Sequence, residues 1–220
     1  SIIVPVYNEK RTIVSVVGCV LQVPIPKEVI VVDDGSTDGT WEVLQRCRPR
    51  GVLLKRLERN CGKGAAFREG ARYATGRYVV CQDADFETNP QDIVRLLSAA
   101  ECSGADAVLG VRKMRRAGLS LACTSFALLA ATLNKLIAAL MLVLIGALPA
   151  DPMCAYKLIR RDRFRRWHLR SPGFGLEVEL TALVLGHRLR YVEVPVDYSP
   201  RGYGAGKKIV PTDAASIFLT

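Results

Sequence analysis

Two carboxylates one residue apart, Asp83 and Asp85, close the stretch Val79-Val80-Cys81-Gln82-Asp83-Ala84-Asp85-Phe86-Glu87. The apolar residues ahead of them favour a β-strand, and on a strand positions i and i+2 share a face. Where such a strand ends and turns, both carboxylates can meet one cation. Hard divalent ions such as Mg²⁺ and Mn²⁺ take oxygen ligands and often complete their shell with substrate phosphate. Asp83 and Asp85 therefore read as a metal–diphosphate site at the carboxyl end of a buried strand, where open α/β sheets bind ligands. Taken alone, the triplet also reads as a solvated acidic turn.

Three more loops of similar character decide between the two. Tyr7-Asn8-Glu9 follow the apolar run Ser1–Val6, and Glu28–Asp34 is a second apolar run ending in two acids. Asp33 or Asp34 can accept hydrogen bonds from a nucleobase or ribose. Asn60-Cys-Gly-Lys-Gly64 opens a helix, and Asn60, Gly62, Lys63 and Gly64 suit a tight helix start near phosphate. The loop is neither a Walker loop nor a dinucleotide fingerprint, since G-x-x-x-x-G-K-[ST] and G-x-G-x-x-G are both missing. In a doubly wound sheet these four loops gather along one edge and form a single cleft.

The elements that must position them alternate. Strands are predicted at 1–6, 28–34, 51–55, 78–82 and 106–110, with helices at roughly 10–22, from the turn 35–39 (capped by Ser36 or Thr37) to about Cys47, from 60–64 onward, and from Pro90. That alternation gives an α/β sheet with right-handed crossovers. Leu119–Leu148 is almost wholly apolar, broken only by polar Thr, Ser, Asn134 and Lys135. Each half, about 13 residues, is shorter than the roughly 20 needed to span a bilayer. The expectation is two helices lying in a membrane interface beside Arg112, Lys113, Arg115 and Arg116; two core helices or one spanning helix are the alternatives. A basic helix near 161–170, a helix over 174–185, a strand over 189–196 and the start of a last helix complete the chain.

The 220 residues carry a formal charge of +10, unevenly placed. Residues 1–111 hold 14 Lys/Arg against 14 Asp/Glu, and residues 112–220 hold 17 against 7. A basic half suits phosphate-bearing partners: nucleic acid, an anionic membrane surface or a phosphorylated acceptor. The seven cysteines form no C-x-x-C pair and read as buried reduced thiols of a cytosolic setting, not as a disulfide frame or zinc site. The two histidines, 168 and 187, read as structural. With no initiating Met and a strand at its first residue, the chain reads as an excised fragment.

Ile3-Val-Pro-Val-Tyr-Asn-Glu9, Val31-Val-Asp-Asp-Gly-Ser-Thr-Asp-Gly-Thr40, Asn60-Cys-Gly-Lys-Gly64 and Gln82-Asp-Ala-Asp85 stand in an order and spacing that resembles the family 2 glycosyltransferases, dolichol-phosphate mannose synthase-like branch. The resemblance continues through Gly110-Val-Arg112, Asp151–Lys157, Phe174–Glu179 and Val194–Lys208, nearly the whole chain. It implies a GT-A fold, a Rossmann-like nucleotide-diphospho-sugar transferase sheet with appended apolar interface helices. It divides the chain into a nucleotide-sugar half (1–118), interface helices (119–148), an acceptor-side half (149–210) and the start of a truncated helix (211–220). It implies inverting transfer of a hexose from a GDP-mannose or UDP-glucose type of donor to a polyprenyl or dolichyl phosphate, on the cytoplasmic face of a membrane.

In that frame Pro5, Tyr7, Glu9 and Asp34 hold the nucleoside, with Lys63 and the Asp83-Ala84-Asp85 triplet on the donor. Mg²⁺ or Mn²⁺ sits on Asp83 and Asp85 within reach of Glu87, which stands where the branch often has Gln. Arg112 and Arg201, with Lys207 and Lys208, face donor diphosphate or acceptor phosphate, and Asp151 lines the reaction centre. Departure of a nucleoside diphosphate needs charge neutralisation, which a metal and Arg/Lys supply. A phosphate acceptor is already an anion, whereas a saccharide or lipid hydroxyl needs a base, for which Asp151, Glu177 and Glu179 are the candidates. A nucleic-acid module is the remote alternative; the basic residues are interleaved with the apolar stretch and lack a stacking-aromatic groove, so no nucleic acid is expected.

Overall fold

The computed structural model describes residues 1–47, 49–114, 121–173 and 175–200, with side chains at all of these except 114 and 121–130. One seven-stranded sheet carries the chain: β1 Ile2–Val6, β2 Val29–Asp33, β3 Val52–Arg56, β4 Tyr78–Cys81, β5 Ala107–Met114, β6 Lys157–Arg160 and β7 Tyr191–Tyr198. Their spatial order is β3-β2-β1-β4-β6-β5-β7. The first four are mutually parallel, β7 is parallel to β5, and β6 runs antiparallel between β4 and β5. The two halves of the chain thus interleave in a single mixed sheet.

Both faces are covered, which is why β1 and β2 are buried at every position and run apolar, up to Asp33 at the end of β2, instead of alternating. Ile2, Val4 and Val6 point to one side, towards α1 (Ile13–Leu21), α2 (Thr40–Cys47) and α4 (Asp92–Ser103). Ile3, Ile30 and Val32 point to the other, towards Phe67 of α3 (Lys63–Tyr73) and Leu176, Leu180 and Val184 of α7 (Leu176–Gly186). Each such aliphatic side chain contributes about 1.5–3 kcal/mol by leaving water. α3 approaches β1 so closely that a Cβ at Gly70 would stand 2.6 Å from Ile3 Cγ2.

Several expectations are corrected. The apolar stretch forms one helix, α5 (Leu121–Ile145), not two. No Gly or Pro interrupts it, and Asn134, the polar break, faces inward, where its Oδ1 accepts from Met153 N at 3.2 Å. Gly146, at φ 79°, ends the helix. Its second half buries Ile137, Ala138 and Met141 against α7 while Val143 and Leu144 stay 81% and 72% exposed. Among the described residues no helix is long and apolar enough to cross a membrane.

The basic helix shrinks to a single turn, α6 (Arg161–Phe164). Beyond Trp167 the chain straightens, because Arg170 N and Ser171 N donate to the Glu179 carboxylate at 2.7 and 2.9 Å. β6 itself is absent from the predicted strands. Asp38, not Ser36 or Thr37, caps α2, with Oδ1 accepting from Thr40 N at 2.9 Å. Of the cysteines, Cys81 and Cys154 are buried, but Cys47, Cys61 and Cys102 are exposed, so the uniform buried-thiol expectation fails. The predicted last helix lies outside the described residues.

Candidate active site

The four predicted loops do meet along the carboxyl edge of β1, β2 and β4. Asn8, at φ 51°, turns the chain after β1 so that its N–H donates to Ser36 Oγ (2.9 Å) and its Oδ1 accepts from Thr37 N (2.8 Å). Glu9 N donates to Thr40 Oγ1 at 3.0 Å. The Thr12 hydroxyl lies 2.7 Å from Glu9 Oε2 and 2.8 Å from Ala84 O, tying the first loop to the acidic triplet. Pro5 is buried in β1 opposite Val32, while Tyr7 and Glu9 are half-buried at the rim.

Asp33 and Asp34 are both buried, and burial raises both carboxyls, opposed at Asp33 by Ser36 and Arg56 and at Asp34 by backbone N–H groups. Asp33 Oδ2 pairs with Arg56 Nε at 3.2 Å. Asp34 accepts from Cys61 N and Gly62 N, both at 2.8 Å, so it holds the 60–64 loop in place.

That loop serves the protein's own backbone more than the sequence suggests. A Cβ at Gly62 would lie 2.4 Å from Pro172 O, and one at Gly64 would lie 2.1 Å from Ser171 O. Ala65 N donates to Pro172 O at 3.1 Å. The glycines therefore admit residues 171–172 against the start of α3. Lys63 reaches the other way and lies between two carboxylates, Asp83 Oδ1 at 2.5 Å and Glu177 Oε1. Burial disfavours its charge, yet Asp83 and Glu177 outweigh that and hold the ammonium well above its ordinary pKa.

After β4, Gln82 anchors the acidic turn from beneath. The hydroxyl of buried Tyr156 lies 2.5 Å from Gln82 Oε1 and 2.8 Å from Asn89 O, and Gln82 Nε2 donates to Asp83 O and Thr88 Oγ1. Phe86 has φ 59°, a left-handed conformation costing a non-glycine residue about 1–2 kcal/mol, and it sits at the bend between Asp85 and Glu87. Asp85 Oδ1 accepts from Glu87 N at 3.1 Å. Glu87 Oε2 accepts from Tyr198 OH at 2.8 Å, and its carbonyl accepts from Ser199 N. Among the described residues no three His, Cys, Asp or Glu side chains form a ready-made metal cage, so Asp83, Asp85 and Glu87 do not close on one point.

A second cluster borders the first. Arg112 on β5 grips Asp151 with both arms, Nε–Oδ2 at 2.7 Å and Nη2–Oδ1 at 2.8 Å, and its backbone N–H donates to Oδ2 as well. The Arg112 guanidinium also lies over the Tyr198 ring, 5.3 Å from its centroid. Arg201, Lys207 and Lys208 lie outside the described residues. His187 stacks on Trp167, with ring centroids 5.9 Å apart.

Sequence reading missed the supporting residues. Nothing local marks Tyr198 as the link between Glu87 and Arg112. Lys157, buried with its Nζ donating to Cys154 O and its pKa lowered by burial, was visible only as part of a quoted motif.

Comparison with known proteins bears on this geometry. The chain is 35% identical over 55% of its length to dodecaprenyl-phosphate galacturonate synthase of Rhizobium johnstonii, covering 38% of that protein. It is 28% identical over 94% of its length to polyprenol monophosphomannose synthase of Mycolicibacterium smegmatis, covering 79% of it. The chain spans about half the length of the curated relatives it matches. Glucosyl-3-phosphoglycerate synthase from Mycobacterium tuberculosis, solved with Mn²⁺, UDP and glucosyl-3-phosphoglycerate, superposes with a TM-score of 0.68 at 21% identity, over 92% of this chain and 72% of that one; it shares the GT-A fold. The sequence pattern of Glycosyl transferase family 2 matches residues 1–166, and the chain belongs to that family.

Proposed function

We propose that the protein transfers a hexose, with inversion, from a nucleotide sugar to a polyprenyl phosphate at a membrane surface. The observation that carries the choice of acceptor is the state of the three carboxylates able to act as a base. Asp151 is gripped by Arg112, Glu177 is paired with Lys63, and Glu179 accepts from the backbone of Arg170 and Ser171. A hydroxyl acceptor needs a base within reach; an acceptor that arrives as a phosphate anion does not. The names of the relatives point to the same acceptor class.

The donor set suits a hard divalent ion. Mg²⁺ is usually held by one or two carboxylates plus substrate phosphate, so the lack of a three-ligand cage is no obstacle, and Asp83 already lies against a cation, the Lys63 ammonium. Asp83 and Asp85 would hold the ion, with Glu87 near it, and the ion would supply charge neutralisation for the departing nucleoside diphosphate. Pro5, Tyr7, Glu9 and Asp34 form the nucleoside side of the cleft. Arg112, oriented by Asp151, presents a fixed positive charge, and the family resemblance assigns Arg201, Lys207 and Lys208, outside the described residues, to the phosphates. Residues 1–118 make the donor half and 149–210 the acceptor half. In this reading the exposed apolar side of α5, with Val143 and Leu144, rests on the membrane, and transfer runs at its cytoplasmic face.

Incubation with UDP- and GDP-hexoses radiolabelled in the sugar, Mn²⁺ and unlabelled polyprenyl phosphate tests the reading. Labelled lipid that disappears with EDTA is the expected result, and Asp85→Asn should lower its rate on the order of 10²–10³-fold. Label passing to a saccharide or lipid hydroxyl, with none on the phosphate, would replace the acceptor.

A further inference from the structure

The ammonium of Lys63 lies against one carboxylate oxygen of Asp83, a residue read above as a metal ligand. It stands 2.5 Å from Asp83 Oδ1, whereas Mg²⁺ ligates oxygen at about 2.0–2.1 Å. Two cations on one carboxylate oxygen repel strongly in a half-buried setting. Lys63 has somewhere to go, because its second partner, Glu177, is nearly buried and belongs to the first turn of α7. The same helix start that carries Lys63 is pressed against Ser171 and Pro172, directly ahead of α7.

We propose that Lys63 is a resident counter-ion of the metal site, holding Asp83 until metal and donor arrive together and then retreating to Glu177 and the donor phosphates. Resting on the donor and metal reading above, this makes Lys63 a positioning residue that links donor loading to α7 on the acceptor side. The ammonium competes with metal when metal comes alone. When a nucleoside diphosphate accompanies the metal, its phosphates take up the displaced charge and the competition vanishes. Glu177 sets the balance by drawing Lys63 away from Asp83.

Mn²⁺ binding by the full chain, followed by paramagnetic resonance of free Mn²⁺ with and without UDP or GDP, gives the test. Coupling between two ligands typically amounts to roughly 5–150-fold, so Lys63→Met should tighten Mn²⁺ binding without nucleotide about tenfold and shrink the tightening that the diphosphate produces. Glu177→Gln leaves Lys63 a single carboxylate partner and should weaken nucleotide-free Mn²⁺ binding about threefold or more. A purely structural salt bridge would make both variants bind worse. Opposite signs support the proposal; a Lys63→Met variant that binds Mn²⁺ no better than wild type overturns it. If Lys63→Met does not fold, as judged by thermal melting, Lys63→Gln takes its place, and Mn²⁺ binding there no tighter than in wild type overturns the proposal. Wild type that binds no Mn²⁺ even with either diphosphate overturns the metal reading and this proposal together. Wild-type binding without the split in the variants overturns only the latter.

Discussion

Replacing Asp151 with Asn removes half of the best-formed ion pair bordering the site while keeping its shape. In the native protein the carboxylate accepts three hydrogen bonds from Arg112, two from the guanidinium and one from the backbone. The amide retains one oxygen and turns an N–H2 donor towards a donor. Removing one partner of a buried pair costs about 3–5 kcal/mol. The Asp151 side chain is 6% exposed but that of Arg112 is 23%, so water recovers part of the loss and about 2–3 kcal/mol is the expected cost. For a chain of this size that lowers the melting temperature by about 4–12 °C. Transfer should fall further than stability explains, because a released guanidinium no longer sits at a fixed angle to the phosphates. A double variant, Arg112→Met with Asp151→Leu, should recover most of the stability, since apolar replacement of a buried pair is often neutral or better, and yet stay inactive. Thermal melting and transfer rate, measured on the same preparations, separate the two effects. If Asp151→Asn melts within a degree of wild type, or the double variant melts lower than the single, the account of this pair is wrong.

Gly64→Ala would set a Cβ 2.1 Å from Ser171 O, a backbone atom, and should destabilise by about 3 kcal/mol; an unaltered melting curve would remove the close contact from the argument. Glu28 gains from burial the tendency to protonate, but hydrogen bonds from Ser1, Thr75 and Gly76 win and lower it from 4.5 to about 2. A depressed carboxyl stabilises the fold above its unfolded pKa and loses that contribution as pH falls through 4.5 towards 2, so Glu28→Gln should flatten the urea midpoint profile in that window and leave its shape near neutrality unchanged. A profile as steep as that of wild type would contradict it. Val143→Glu with Leu144→Glu, on the exposed side of α5, should reduce co-flotation with anionic liposomes severalfold without lowering the melting temperature; equal flotation would place the membrane contact elsewhere.

The strands that can be read in the sequence are those that stop at a chemical boundary. β2 ends in Asp33, and the apolar runs of β1 and β4 give way within two residues to Asn8 and Gln82; the same polarity change that ends each strand builds the site. β6 offers no such edge. Its four residues, Lys-Leu-Ile-Arg, begin with a buried Lys whose charge is met by a backbone carbonyl three residues back, and only tertiary packing makes that acceptable. The acidic triplet was legible because one turn contains it. The long-range links around it were not, since Lys63, which pairs with Asp83, also pairs with Glu177 114 residues away, and Glu87 and Tyr198 are 111 apart. Charge misled at 161–170, where arginines suggest a helix but the carboxylate of Glu179 draws the backbone straight. In α5, polarity at Asn134 suggested a break; a single inward hydrogen bond removes the need for one.

The insertion of β6 between β4 and β5 sets a timetable for synthesis. When β5 leaves the ribosome, its edge and that of β4 have no strand between them, and 42 more residues (115 through 156) must follow before the first residue of β6 exists. At about 5–20 residues per second that wait lasts roughly 2–8 s. Through it the nascent chain shows two unpaired strand edges, the surfaces on which other chains pair and aggregate. The residue that fills the gap first is Lys157, whose charge discourages strand addition by strangers until it is buried beside Cys154. The cleft along β1, β2 and β4, although encoded mostly in the first half of the sequence, therefore borders a sheet that closes only after residues 157–160 have been made.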